Sequence, residues 1–200
     1  MNPLNTIKGT LIAGLVLAIV LAAVLSQHAG VNALMLARWL HIVAGITWIG
    51  LLYYFNFVQV PALADAAADK GGPGGAAITK YVAPRALLWF RWSALVTWLS
   101  GAGYLGHVGW LAGAFSFGAI GTAGPYGNAI GFGAWLGTIM LFNVWVIIWP
   151  NQQKILGLKP ATDEEKVKAR RHAFLASRTN ALLSIPMLMF MAASAHGLPF

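Results

Sequence analysis

The five carboxylates of this 200-residue chain are confined to two places, Asp65 with Asp69 and Asp163 through Glu165, and long apolar blocks fill most of the rest. A helix needs ~20 mostly apolar residues to cross about 30 Å of hydrocarbon, and in lipid its amides must be satisfied within the segment itself. Five blocks meet that requirement, with spans expected at 9–27, 33–62, 82–107, 129–150 and 178–197. No segment alternates polar and apolar residues with a period of two, so strands are not expected. The fold implied is all-α: a polytopic transmembrane helical bundle of about five spans, forming a single membrane domain over residues 1–200.

Punctuation along the chain sets the expected boundaries. Pro61 and Pro150 are expected to end the second and fourth spans, Pro84 to sit in the first turn of the third, and Pro186 to kink the last. Gly71–Gly75 reads as a flexible loop. Residues 108–128, rich in Gly and uncharged, read as a short interfacial or re-entrant piece. Thr162 followed by Glu165 is a capping box, so a basic amphipathic helix is expected to begin there and run on into the last span.

Charge then sets orientation and excludes whole classes of function. Only 9% of residues are charged against 58% hydrophobic, where a soluble domain carries roughly a quarter charged. The 13 Lys and Arg residues give a net charge of +8, which in a soluble protein would suggest nucleic acid. Here they cluster between apolar blocks: Lys70, Lys80 and Arg85 in one connection, Lys154 through Arg178 in another. The other two connections are essentially uncharged. The positive-inside rule therefore puts the amino terminus in the cytoplasm of a multi-pass protein of a bacterial inner membrane, with the lipid bilayer as its main partner and no nucleic acid.

With no Cys, the chain builds no disulfide, thiolate metal site, iron–sulfur cluster or covalently attached c-type haem. No carboxylate lies within a span, which removes a carboxylate proton relay. Phosphate loop, zinc-protease helix and serine nucleophile elbow are all missing from the sequence.

Two polar layers remain inside the apolar blocks. The expected topology puts His28, His41, His107 and His196 on the outer side, and His172 on the cytoplasmic amphipathic helix. His41 lies about two turns into its helix, where an ionisable group is costly and faces a partner or a cavity. Arg38, His41, Gly45, Trp48, Leu52 and Asn56 follow steps of three and four, so they form one stripe. His107 ends the third span above Ser100 and Gly103, a small-residue face that a flat macrocycle or a neighbouring helix would approach closely. Imidazoles from two helices suit both axial positions of a b-type haem, with Arg38 on a propionate; copper is the alternative metal. The second layer, Asn56, Arg91, Asn143, Asn151, Arg178 and Asn180, sits near the inner ends of four helices. It is a candidate polar pocket for an anionic substrate, a quinone oxygen or a propionate. The plainer reading is interhelical hydrogen bonds and snorkelling arginines.

A resemblance rests on the run His41-Ile-Val-Ala-Gly-Ile-Thr-Trp-Ile-Gly50, continuing to Pro61, and on three later segments in the same order. These are Phe90-Arg-Trp92 with Thr97-Trp98, Phe142 to Gln152 with its Trp-Pro-Asn-Gln, and Ala176 to Met187 with its Arg-Thr-Asn. Together they resemble the membrane domain of the membrane-bound urate oxidases. The opening motif is also similar to the copper-resistance D proteins and J-type protoporphyrinogen oxidases, whose helix histidine is thought to ligate haem b. The resemblance implies a membrane oxidoreductase linked to the respiratory chain, passing electrons to a cytochrome c, which for this chain would be a separate protein. The contrasting expectation is a cofactor-free accessory or assembly subunit of a larger respiratory membrane complex, or a homo-oligomer. Transport of copper or a small anion is a weaker alternative.

Overall fold

The structure, a computed structural model, describes residues 2–26, 30–124 and 127–199. It is helical throughout, with no strand among the described residues. The chain resolves into two compact units, Met1–Ala33 and Leu34–Phe200.

The first unit is one helix, α1 (Ile7–Leu25), capped by Thr6, whose hydroxyl accepts from the Gly9 amide at 3.0 Å. None of its residues is buried, so its Leu, Ile and Val side chains are exposed on every face. That is the surface of a helix whose solvent is lipid.

The second unit is built from α2 (Ala33–Ala68), α3 (Ala83–His107), the short α4 (Leu111–Phe115), α5 (Gly127–Ile155) and α6 (Asp163–His196). Among the described residues, α1, α2, α5 and α6 are long and apolar enough to cross a membrane. The third expected span coincides with α3. Its 25 residues reach about 37 Å, with Arg85 and Arg91 in the first half. Contacts from Phe55–Phe90 to Arg38–Tyr104 nevertheless run α3 antiparallel beside α2 over ~25 Å.

Pro61 and Pro150 do not end their helices. In each case a π-helical turn comes first, Tyr54–Gln59 in α2 and Asn143–Ile148 in α5, and the helix then continues through the proline. A third such turn, Ile78–Val82, precedes Pro84. In all three, the residue just before the proline donates its N–H five residues back: Val60 to Phe55, Ala83 to Ile78, Trp149 to Val144. Proline has no N–H, and its ring collides with the carbonyl four residues earlier in an ordinary α-helix. Widening the preceding turn moves that carbonyl aside, so the chain keeps its direction. α6 likewise runs unbroken past Pro186.

The capping box forms as expected: the Thr162 amide donates to Glu165 Oε2 at 2.9 Å, and the Glu165 amide to Thr162 Oγ1 at 3.2 Å. The amphipathic segment and the last span are one helix, α6. The core lies where α2, α3, α5 and α6 meet, around Trp48, Leu52, Phe55, Phe90, Met140, Val144 and Met187.

The Gly-rich segment folds into α4 and a series of turns packed on α5, with Ala114 completely buried. Its close approach explains the glycines. A Cβ at Gly113 would lie 2.1 Å from the Thr122 carbonyl oxygen, and one at Gly131 would lie 2.5 Å from that of Ala114. Because Gly113 meets backbone, no side chain can yield. Gly113→Ala is expected to cost about 1–2 kcal/mol, read as a lower thermal midpoint in detergent, while Gly14→Ala on α1, which meets nothing and gains helix propensity, does not lower it.

Candidate functional site

The α2 stripe read from the sequence faces inward from His41 on, while Arg38 at its start is exposed. Trp48, Leu52 and Asn56 are all buried, and His41 is half-buried above them. Because α3 and α6 both run antiparallel to α2, His41, His107 and His196 come to the same end of the second unit. His28 lies outside the described residues.

His41 is held by α3. Its Nδ1 is 2.7 Å from the Thr97 carbonyl oxygen, and since a carbonyl only accepts, Nδ1 carries the proton. In the neutral ring the lone pair is then on Nε2, the arrangement that metal-ligating histidines use when a backbone carbonyl orients them. The ring lies flush on Gly101, where a Cβ would sit 2.8 Å from Cε1 and 2.9 Å from Nδ1. One turn away, Arg38 hydrogen-bonds the Tyr104 hydroxyl and stacks over its ring at 4.9 Å. Arg38 therefore reaches α3 rather than standing free above His41.

The face of α3 that receives His41 is Thr97, Gly101 and Tyr104. Sequence reading selected the neighbouring stripe, Ser100, Gly103 and His107. Gly103 and Gly106 meet no atom within 4 Å, and His107 is exposed at the helix end. From Gly101 to His107 is six residues, about 9 Å along the axis and roughly 120° around it. The structure does not bring His107 to the imidazole of His41. The spacing of three and four from Arg38 through His41 to Gly45 is mirrored by Tyr104, Gly101 and Thr97 on an antiparallel neighbour. That mirror pattern is the signal by which those residues were legible.

The second polar layer is a hydrogen-bonded seam at the α2–α6 and α5–α6 contacts. Asn143 Nδ2 donates to Asn180 Oδ1 at 2.8 Å, and Asn180 Nδ2 donates to the Met140 carbonyl at 2.9 Å. Asn56 Nδ2 donates to the Leu52 carbonyl and to Ser177 Oγ, both at 2.8 Å, and the Tyr53 hydroxyl pairs with Ser184 Oγ at 3.0 Å. Asn56 and Asn143 each sit in a π-helical turn. Asn151 bonds its own helix, at the Ile147 carbonyl.

The two arginines stand apart from this seam. The Arg91 guanidinium lies over the Trp149 ring at 3.8 Å, and the exposed Arg178 lies over Phe174 at 5.3 Å. Among the described residues, two buried side-chain polar atoms have no partner, Trp48 Nε1 and Gln59 Oε1. Serines and Tyr53, which complete the seam, carried no sequence signal beyond falling on the same α2 and α6 faces as the asparagines.

Two stretches of the chain, residues 27–117 and 111–200, match the urate oxidase N-terminal family. The chain belongs to this family. The match takes in the His41 stripe, its α3 partner and the asparagine seam, so both polar layers lie within the family's domain. No curated protein and no solved structure matches the chain significantly.

Proposed function

We propose that this member of the urate oxidase N-terminal family is a haem b redox protein of the bacterial inner membrane. In this reading it has five spans, α3 included, and its amino terminus is in the cytoplasm. The observation that supports this most is the Nδ1–H bond from His41 to the Thr97 carbonyl, which leaves Nε2 with its lone pair beside a glycine-floored face. His41 Nε2 is the atom that would hold the haem iron. A bound haem b would supply one-electron redox chemistry between an embedded donor and a separate cytochrome c. Thr97 keeps the imidazole in one tautomer, Gly101 lets the ring lie against α3, and Tyr104 anchors Arg38 so that its guanidinium faces the same end of the bundle. His107, on another side of α3, contributes no ligand in this reading, which also weakens a copper site built from the two histidines. Urate, from the family's description, is the first substrate to assay as electron donor.

A reduced-minus-oxidised spectrum of the purified protein is expected to show a b-type band with about one haem per chain. No band would end this reading. Gly101→Ala is expected to displace the imidazole and lower haem content several-fold, whereas Gly103→Ala, which meets open space, leaves it unchanged.

The asparagine seam favours a second reading, the cofactor-free accessory subunit. Its members satisfy one another as interhelical stitching does, with Asn143, Asn180 and the Met140 carbonyl in one chain of bonds. Under that reading mild solubilisation yields a larger complex with no haem per copy of this chain.

A further inference from the structure

The exposed side of α6 changes character along a single stripe. Lys168, Arg171, Leu175, Arg178, Leu182, Ile185 and Met189 follow steps of three and four, and every one of them is exposed. Three of its first four residues are basic, with Leu175 among them, and it is apolar from Leu182 on. Arg171 and Arg178 converge on the ring between them, with guanidinium carbons 6.0 and 5.3 Å from the Phe174 centroid.

Nearby carboxylates are engaged elsewhere. Asp163 pairs with Lys166 at 3.2 Å and Glu165 with Lys154 at 3.8 Å, while Glu164, on the same stripe four residues before Lys168, bonds back to Thr162 at the helix start; among the described residues no ion pair involves Arg171 or Arg178. Guanidinium faces are apolar enough to rest on an aromatic ring, while their N–H edges point outward in a fork that suits two phosphate oxygens. A basic cluster at the point where a helix turns apolar also lies at the depth of lipid phosphates.

We infer that Arg171, Phe174 and Arg178 form a binding site for an anionic phospholipid. The phosphodiester sits between the two guanidinium edges, and an acyl chain runs along Leu182, Ile185 and Met189. The commitment is to a lipid rather than free phosphate, because the same stripe supplies the apolar half of the ligand. The site rests on α6 alone and is independent of the haem reading.

The test uses the full chain in nanodiscs of phosphatidylglycerol and phosphatidylcholine mixed equally, with the lipid retained after extraction measured by mass spectrometry. Phosphatidylglycerol is expected to be enriched about tenfold over phosphatidylcholine. Arg171→Gln with Arg178→Gln removes the enrichment, and the double Lys variant, which keeps charge without the fork, lowers it several-fold. Arg170→Gln, an equal charge loss off the stripe, retains it. Monodisperse elution of each variant separates loss of the site from loss of the fold. Equal retention of both lipids by the wild type overturns the proposal, as does enrichment that Arg170→Gln lowers as much as a single stripe substitution does. Displacement of the bound lipid by millimolar inorganic phosphate assigns the site to free phosphate and overturns it as well.

Discussion

His41→Ala is expected to abolish the b-type band, and His107→Ala to leave it at the wild-type level. The asymmetry follows from α3. His41 is oriented by the Thr97 carbonyl and seated on Gly101, whereas His107 is exposed roughly 120° further round the same helix. His41→Gln is the matched control for the fold, since its amide still offers the Thr97 carbonyl a donor while removing the imidazole. That variant is expected to elute as the wild type does and to carry no haem. Haem content that falls with His107→Ala and survives His41→Ala would reverse the assignment of the ligand.

The second large effect belongs to Asn180, which has no exposed surface and bridges two groups of α5. Asn180→Leu removes both bonds, leaving the buried Asn143 amide without its partner and the Met140 carbonyl without its side-chain donor. A buried orphan costs about 1–3 kcal/mol, and values in membranes fall toward the lower end because the separated helices also find partners. A loss of about 1–2 kcal/mol is therefore expected, read as a lower unfolding midpoint in detergent. Adding Asn143→Leu should cost less than the sum of the single changes, because the orphaned amide is then gone. Strict additivity of the two substitutions would show that the Asn143–Asn180 bond contributes nothing.

Much of the second unit was legible because it is encoded locally. The capping box at Thr162 and Glu165 is a matter of three residues, and the inward stripe from His41 to Asn56 follows from helical spacing alone. The prolines misled for a local reason too. Pro61 and Pro150 would each end an ordinary α-helix, but a π-helical turn just before each absorbs the clash, and nothing in composition announces the wider turn. On α3 the small residues at Ser100 and Gly103 looked like the receiving face, yet the neighbouring stripe of Thr97, Gly101 and Tyr104 received His41. The two stripes differ by roughly a quarter turn of α3 about its own axis. Arg91 and Arg178 were grouped with the asparagines by depth, but each found an aromatic ring on a different surface.

By itself the amino-acid order determined which segments are helices of membrane length, where α6 begins, and that imidazoles gather at one end and asparagines nearer the other. These are properties of single segments, set by apolar length, spacing and caps. Only the tertiary structure decided the rotation of each helix about its axis, and with it which glycine floors His41, which carbonyl fixes its tautomer and which asparagines touch. A helix surrounded by lipid is apolar on nearly every side, so its own pattern scarcely favours one rotation over another. The choice falls to close packing and to the few hydrogen bonds that neighbouring helices can complete.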